Sequence, residues 1–117
     1  MNSDKIKVTA TCVRVPVPIA HGESVYFTVE DKDATAQDIM DVIAKFPGDV
    51  LQDDIKHQIY PQPVNAEGSR DTFVGRIRPD YENPGAFNMW VVADNLLKGA
   101  AWNTVENAEY LDKMNLI

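Results

Sequence analysis

The run Phe87-Asn88-Met89-Trp90-Val91-Val92-Ala93 carries no charge and sets four large apolar residues in a row, Met89 to Val92. Such a segment reads as a β-strand that wants cover on both faces. A chain of 117 residues can build one modest core. Cover for both faces of that strand strains what a small domain can provide, so a partner surface is expected.

The remaining elements follow from periodicity and punctuation. Lys5 to Cys12 alternates, with Ile6, Val8, Ala10 and Cys12 on one face and Lys5, Lys7, Thr9 and Thr11 on the other. This predicts a half-buried strand. Pro16 and Pro18 interrupt it, because proline cannot donate to a ladder. A second strand is predicted over Glu23 to Glu30. Thr35 reads as a helix N-cap with Asp38 as its acidic partner three residues on. Ile39, Val42, Ile43 and Phe46 follow at helical spacing, and Pro47-Gly48 stops the helix. Val50-Leu51 is a short strand. Asp53 to Ser69, with Pro61, Pro63 and Gly68, is irregular and long for a plain connection. Asp71 to Arg78 is strand-like, with Phe73, Gly75 and Ile77 opposite Val74, Arg76 and Arg78. After the turn-rich Pro79 to Gly85 comes the apolar strand. Asp94 then caps a last helix to about Lys113, its inward positions being Leu97, Ala100, Ala101, Thr104, Val105, Ala108 and Leu111.

The predicted order, β-β-α-β-β-β-α, gives the α+β class: a mixed, mainly antiparallel sheet with helices on one face. The chain opens almost directly on a strand, as if within a domain.

Composition bounds the function. Hydrophobic and charged fractions of 44% and 25% are those of a soluble globular protein. A net charge of -7 argues against nucleic-acid and acidic-membrane binding, which need basic patches. Residues 1–7 are polar and charged and read as no targeting signal, and no run is long enough to span a bilayer. The single cysteine, Cys12, cannot form an internal disulfide, and common metal spacings are absent. A reducing, cytoplasmic setting fits.

The chemistry-bearing residues are few. Arg14 and His21 flank Val15-Pro16-Val17-Pro18-Ile19-Ala20, with Gly22 behind. An ordinary histidine titrates near ~6.5 and can take and give a proton. An arginine fork matches a carboxylate. A stiff tether between them makes half of an active site, against the bland alternative of a surface histidine before a strand. Cys12, on the apolar face of its strand, reads as a buried structural thiol rather than a nucleophile. His57 lies among charges and reads as a solvated loop residue. Arg70, Arg76 and Arg78 read equally as a solvated face or as an anion site or subunit contact, with Arg76 and Arg78 on one face. Asp94 reads as a simple cap. Asn95, at the strand-to-helix junction, can serve as a cap-region residue or hold a polar cofactor edge. Gly99-Ala100-Ala101 is small enough for close approach of a backbone or a flat ligand.

Three segments together, TATCVRVPVPIAHGESV, QIYPQPVNAEGSRDTFVGRIRPD and MWVVADNLLKGAAWNTVENAEYL, resemble the C-terminal part of aspartate-semialdehyde dehydrogenases. The resemblance covers nearly the whole chain. It implies the C-terminal fold of the glyceraldehyde-3-phosphate-dehydrogenase-like superfamily, with residues 1–93 as part of a dimerisation and catalytic domain. Residues 94–117 would then be a terminal helix that packs on a Rossmann domain. That family makes aspartate semialdehyde by NADPH-dependent reductive dephosphorylation of aspartyl phosphate, feeding lysine, methionine, threonine and diaminopimelate synthesis.

By the same resemblance, Arg14 clamps the substrate carboxylate, His21 is the acid/base partner of a cysteine nucleophile, and Asn95 lies by the nicotinamide of NADP. The family's nucleophile sits upstream in an Asn-Cys setting, so Cys12 is not its counterpart. No Gly-x-Gly-x-x-Gly occurs in this sequence. The implied role is that of a C-terminal fragment, inactive alone, with no tightly bound NADP and a tendency to homo-oligomers. A self-associating, non-catalytic module is the alternative. Glu106 stands where a glutamine is expected.

Overall fold

A computed structural model describes residues 5–117. Of the polar opening stretch 1–7, and of the expected domain 1–93, residues 1–4 lie outside the described residues. The elements are β1 (His21–Thr28), α1 (Ala36–Ile43), β2 (Asp49–Leu51), a single helical turn α2 (Pro63–Ala66), β3 (Thr72–Pro79) and β4 (Ala86–Ala93). A π-helical turn (Leu97–Ala101) then leads into α3 (Trp102–Lys113).

The sheet has four strands in the order β1-β4-β3-β2. β4 pairs antiparallel with β1 and β3, while β2 runs parallel to β3. The fold is therefore α+β with a mixed, mainly antiparallel sheet. The most apolar run is flanked on both edges, and Phe87 and Val92 are fully buried. Ala20, Ala66 and Val92 form a compact cluster with Phe73 and Trp90 against it.

The α1 start matches its local signal. The Thr35 side chain accepts from the Asp38 N–H, and the Asp38 carboxylate accepts from the Thr35 N–H at 2.8 Å. The Thr35 hydroxyl also donates to Asp38 Oδ2 at 2.6 Å, and this bond, followed by that from the Thr35 N–H, holds the Asp38 carboxyl below its ordinary range. Gly48, at φ 83, carries the chain out of the helix into β2, a conformation that side chains resist.

Three expectations fail, each for a physical reason. Lys5 to Cys12 forms no strand, and Lys5 to Pro18 is exposed throughout. Alternation marks a strand only where a neighbour pairs with it, and no fifth strand lies against β1 among the described residues. Cys12, expected to be buried, is consequently exposed. The alternation of β3 breaks at a bulge, where Arg76 has φ 57. Gly75 pairs with Trp90 and Arg78 with Asn88, so the extra residue moves Arg78 onto the Gly75 face. Within the long connection, Pro63 opens α2 at the position where its missing N–H costs nothing.

Two glycines make room on the Trp90 face. A Cβ on Gly22 would collide with the Trp90 ring, and one on Gly75 would collide with the Gln52 carbonyl and crowd Pro61. Trp90 Nε1 donates to the Pro61 carbonyl at 3.0 Å, and Pro61 is fully buried. The indole thereby ties the connection before α2 to the centre of the sheet.

Candidate active site at the start of the first strand

Strand register sets this site. His21 pairs with Ala93, so the chain just before β1 meets the chain just after β4. Asn95 reaches across: its Oδ1 accepts from the Ala20 N–H at 2.8 Å. Ala20 is buried and has φ 77, in the left-handed region that a non-glycine residue enters at a cost. His21 itself is exposed.

Arg14, His21 and Asn95 all line one broad concavity of about 2020 Å³, together with Cys12, Glu23, Pro63 and Trp90. Pockets for small molecules occupy roughly 300–1,000 Å³. The concavity is thus wider than a finished substrate pocket. Arg14 is exposed on its wall, two residues before Pro16. The three residues expected to act together therefore share one space.

Asp94 precedes Asn95 and is buried. Its Oδ1 accepts from the Leu96 and Leu97 N–H groups at 2.8 and 3.0 Å. Its Oδ2 accepts from the Gly68 N–H at 2.8 Å. These backbone donors, Gly68 first, hold the carboxyl below its ordinary range. The cap expected from sequence is present, and it also anchors the loop after α2.

The other flagged residues fall elsewhere. The His57 Nδ1 contacts Asp54 Oδ2 at 2.6 Å on an exposed turn, which lowers the Asp54 pKa. Arg70 stacks on the Trp102 ring at 4.0 Å, and Arg76 lies over Tyr60 at 5.8 Å. Glu106 Oε2 pairs with Lys98 Nζ at 2.8 Å, bracing the π-helical turn against α3. Beside that pair, burial pushes the Asp49 carboxyl up and Lys98 pulls it back. Sequence reading missed the Asn95–Ala20 bond and the Trp90–Gly22 contact. Only the pairing of β1 with β4 signals them.

The model of the semialdehyde dehydrogenase dimerisation domain matches residues 1–98. The chain belongs to that family. It is 50% identical over its full length to the aspartate-semialdehyde dehydrogenase of Bacillus subtilis, covering 34% of that protein. It is 44% identical over its full length to the Aquifex aeolicus enzyme, again covering 34%. An aspartate semialdehyde dehydrogenase II from Vibrio cholerae, crystallised with ASA, superposes with a TM-score of 0.79 at 38% identity. That match covers 88% of this chain and 30% of the other. A probable aspartate-semialdehyde dehydrogenase from Pseudomonas aeruginosa superposes with a TM-score of 0.73 at 31% identity, over 84% of this chain and 28% of the other.

The chain spans about a third of the length of these relatives and corresponds to the C-terminal dimerisation part of the semialdehyde dehydrogenases. Its architecture is that of the C-terminal domain in the glyceraldehyde-3-phosphate-dehydrogenase-like superfamily. Among the described residues, no helix is long and apolar enough to cross a membrane.

Proposed function

We propose that this chain provides the carboxylate clamp and the acid/base group of an aspartate-semialdehyde dehydrogenase. The reaction is the NADPH-dependent reductive dephosphorylation of aspartyl phosphate to aspartate semialdehyde, in a cytoplasmic setting. The observation that carries this reading is the gathering of Arg14, His21 and Asn95 around one concavity. The relatives of this chain are named for the same activity.

Arg14 grips the α-carboxylate of the substrate through its planar fork, fixing the distance to the reacting carbon. His21 takes the proton of a thiol held on the rest of the active site and returns a proton as the chemistry proceeds. The nucleophile is a cysteine other than Cys12, which lies two residues before Arg14 in a Thr-Cys-Val-Arg setting.

The residues present fit only the nicotinamide end of NADP. Asn95 uses its Oδ1 on Ala20, which leaves its amide N–H groups, rather than its oxygen, to meet a carboxamide oxygen. Gly99, Ala100 and Ala101 are exposed and small, which permits a flat group or a backbone to lie close. NADP, when bound, carries the hydride. With no glycine-rich phosphate loop in the sequence, the pyrophosphate end requires another domain. Residues 94–117 serve as the terminal helix against that domain: α3 has no buried residue, and Val105 and Leu111 of its expected inward face remain 42% and 37% exposed.

The chain alone is inactive and self-associates. Its family is a dimerisation domain, and Val8, Val13, Val15 and Val17 are exposed apolar residues. The test is phosphate-dependent NADP reduction with aspartate semialdehyde. The expected result is no turnover by the pure chain, and turnover when it is co-expressed with the upstream two-thirds of the Bacillus subtilis relative. Arg14→Leu should then raise KM for the semialdehyde at least tenfold, and His21→Asn should lower kcat at least a hundredfold. Turnover by the isolated chain, or full activity with His21→Asn, would overturn the reading.

A further inference from the structure

Two side chains from β4 and its exit grip the backbone on either side of His21. On one side, Asn95 Oδ1 holds the N–H of Ala20, whose φ of 77 places the peptide in a region that needs an outside partner to persist. On the other side, the Trp90 ring lies so close to Gly22 that no Cβ fits there. Trp90 is itself fixed by its bond to the buried Pro61 carbonyl. His21 sits between these two points with its ring exposed to the concavity. An exposed side chain would otherwise sample several rotamers and backbone states. Here the backbone that aims it is tied down at both neighbours.

We propose that Asn95 and Trp90 are positioning residues for His21, acting through Ala20 and Gly22 respectively. The proposal rests on the reading of His21 as the acid/base group. It gives Asn95 two simultaneous tasks, since its oxygen orients residue 21 while its amide N–H groups would donate to a cofactor edge. A change at Asn95 would then impair proton transfer as well as cofactor contact. It separates Asn95 from Asp94, whose carboxylate accepts from Gly68, Leu96 and Leu97 rather than from Ala20.

The test uses the isotope-labelled chain in solution. A scalar coupling through the hydrogen bond, from the Ala20 amide nitrogen to the Asn95 side-chain carbonyl carbon, is expected in the unaltered protein. Asn95→Ala should speed exchange of the Ala20 amide by at least roughly tenfold and move the His21 ring resonances, while Val92 exchange stays unchanged. Asn95→Asp keeps an acceptor and should restore Ala20 protection to within roughly threefold of the original. Trp90→Phe removes the Pro61 bond and should move the His21 ring resonances with the Ala20 coupling intact. No coupling in the unaltered chain, an unmoved His21 ring in Asn95→Ala, or an Asn95→Asp as damaging as Asn95→Ala would each overturn the proposal. If Asn95→Ala does not fold, the coupling and the Asn95→Asp variant decide alone. A present coupling together with a dispensable His21 in the co-expressed enzyme would remove the catalytic reading and leave the positioning intact.

Discussion

The N–H of Gly68 donates to Asp94 Oδ2 at 2.8 Å, while the other oxygen of the same carboxylate caps the helix that follows β4. One side chain thus joins the loop after α2, the end of the central strand and the start of the terminal helix. Asp94 is 3% exposed and accepts three backbone N–H groups. Asp94→Ala leaves those donors without their acceptor, and the melting temperature should fall by roughly 5 °C or more. Asp94→Asn keeps acceptor capacity at one oxygen and should fall less. A scanning calorimetry trace in which both variants match the original would remove this joint from the account of stability.

The same carboxylate gives the chain an acid-side limit. Its folded pKa lies below the ordinary carboxylate value because the charged form receives the Gly68, Leu97 and Leu96 N–H groups. A depressed folded pKa means the contribution is complete above the unfolded value, near ~3.9, and is lost as pH falls from there through the folded value. Asp38 behaves with the same sign at the N-cap of α1. Urea midpoints should therefore hold steady from pH 7 to about 5 on account of these groups, and drop below about 4. In Asp94→Asn the acid-side drop should be shallower.

Gly22→Ala tests the contact between β1 and Trp90. The added methyl must displace the indole, which is held by the Pro61 carbonyl. A loss of about 1–3 kcal/mol is expected, with a shift in tryptophan fluorescence as the ring moves. Gly75→Ala should be worse, because the Cβ meets the backbone of Gln52 rather than a side chain that can swing away. Equal stability of the two variants would show that the sheet yields more easily than the indole.

Thr35→Ala should cost about 1 kcal/mol in chemical denaturation, the ordinary value for an exposed N-cap. The cap is reciprocal with Asp38, so Thr35→Ser, which preserves the hydroxyl, should retain most of the stability.

Glu106→Gln should be close to neutral, within about 1 kcal/mol. The Lys98–Glu106 pair is partly solvated, at 18% and 34% side-chain exposure, and pairs of that kind contribute little. A glutamine oxygen can still accept from Lys98 Nζ. The stronger effect should fall on Asp49, whose carboxyl feels Lys98 and would feel it more once Glu106 is neutral. A titration of Asp49 by carbon-detected NMR should show its pKa move down in the variant.

What the sequence made legible was whatever a few neighbouring residues decide. The α1 start needed only Thr35 and Asp38, and the strand nature of β4 only its own apolar run. What escaped depends on pairing. The alternation of Lys5 to Cys12 is as regular as that of β1, yet only β1 finds a neighbour in β4. The bulge in β3 moves Arg78 by one position without any glycine or proline at Arg76-Ile77 to announce it. The site divides in the same way. Arg14, His21 and Asn95 were visible as residue types, and all three line the concavity. The bond between Asn95 and Ala20 spans 75 positions of sequence and follows only from strand register.

Because the sheet stops at β1, one row of backbone N–H and C=O groups faces outward with no strand against it among the described residues. Natural edges are usually blunted by lysine, proline or inward charge. His21-Gly-Glu-Ser-Val-Tyr-Phe-Thr28 has neither lysine nor proline and carries one carboxylate, Glu23. Such an edge recruits any extended segment that drifts past, including another copy of itself. Association of the chain should therefore rise with its concentration, through pairing along β1.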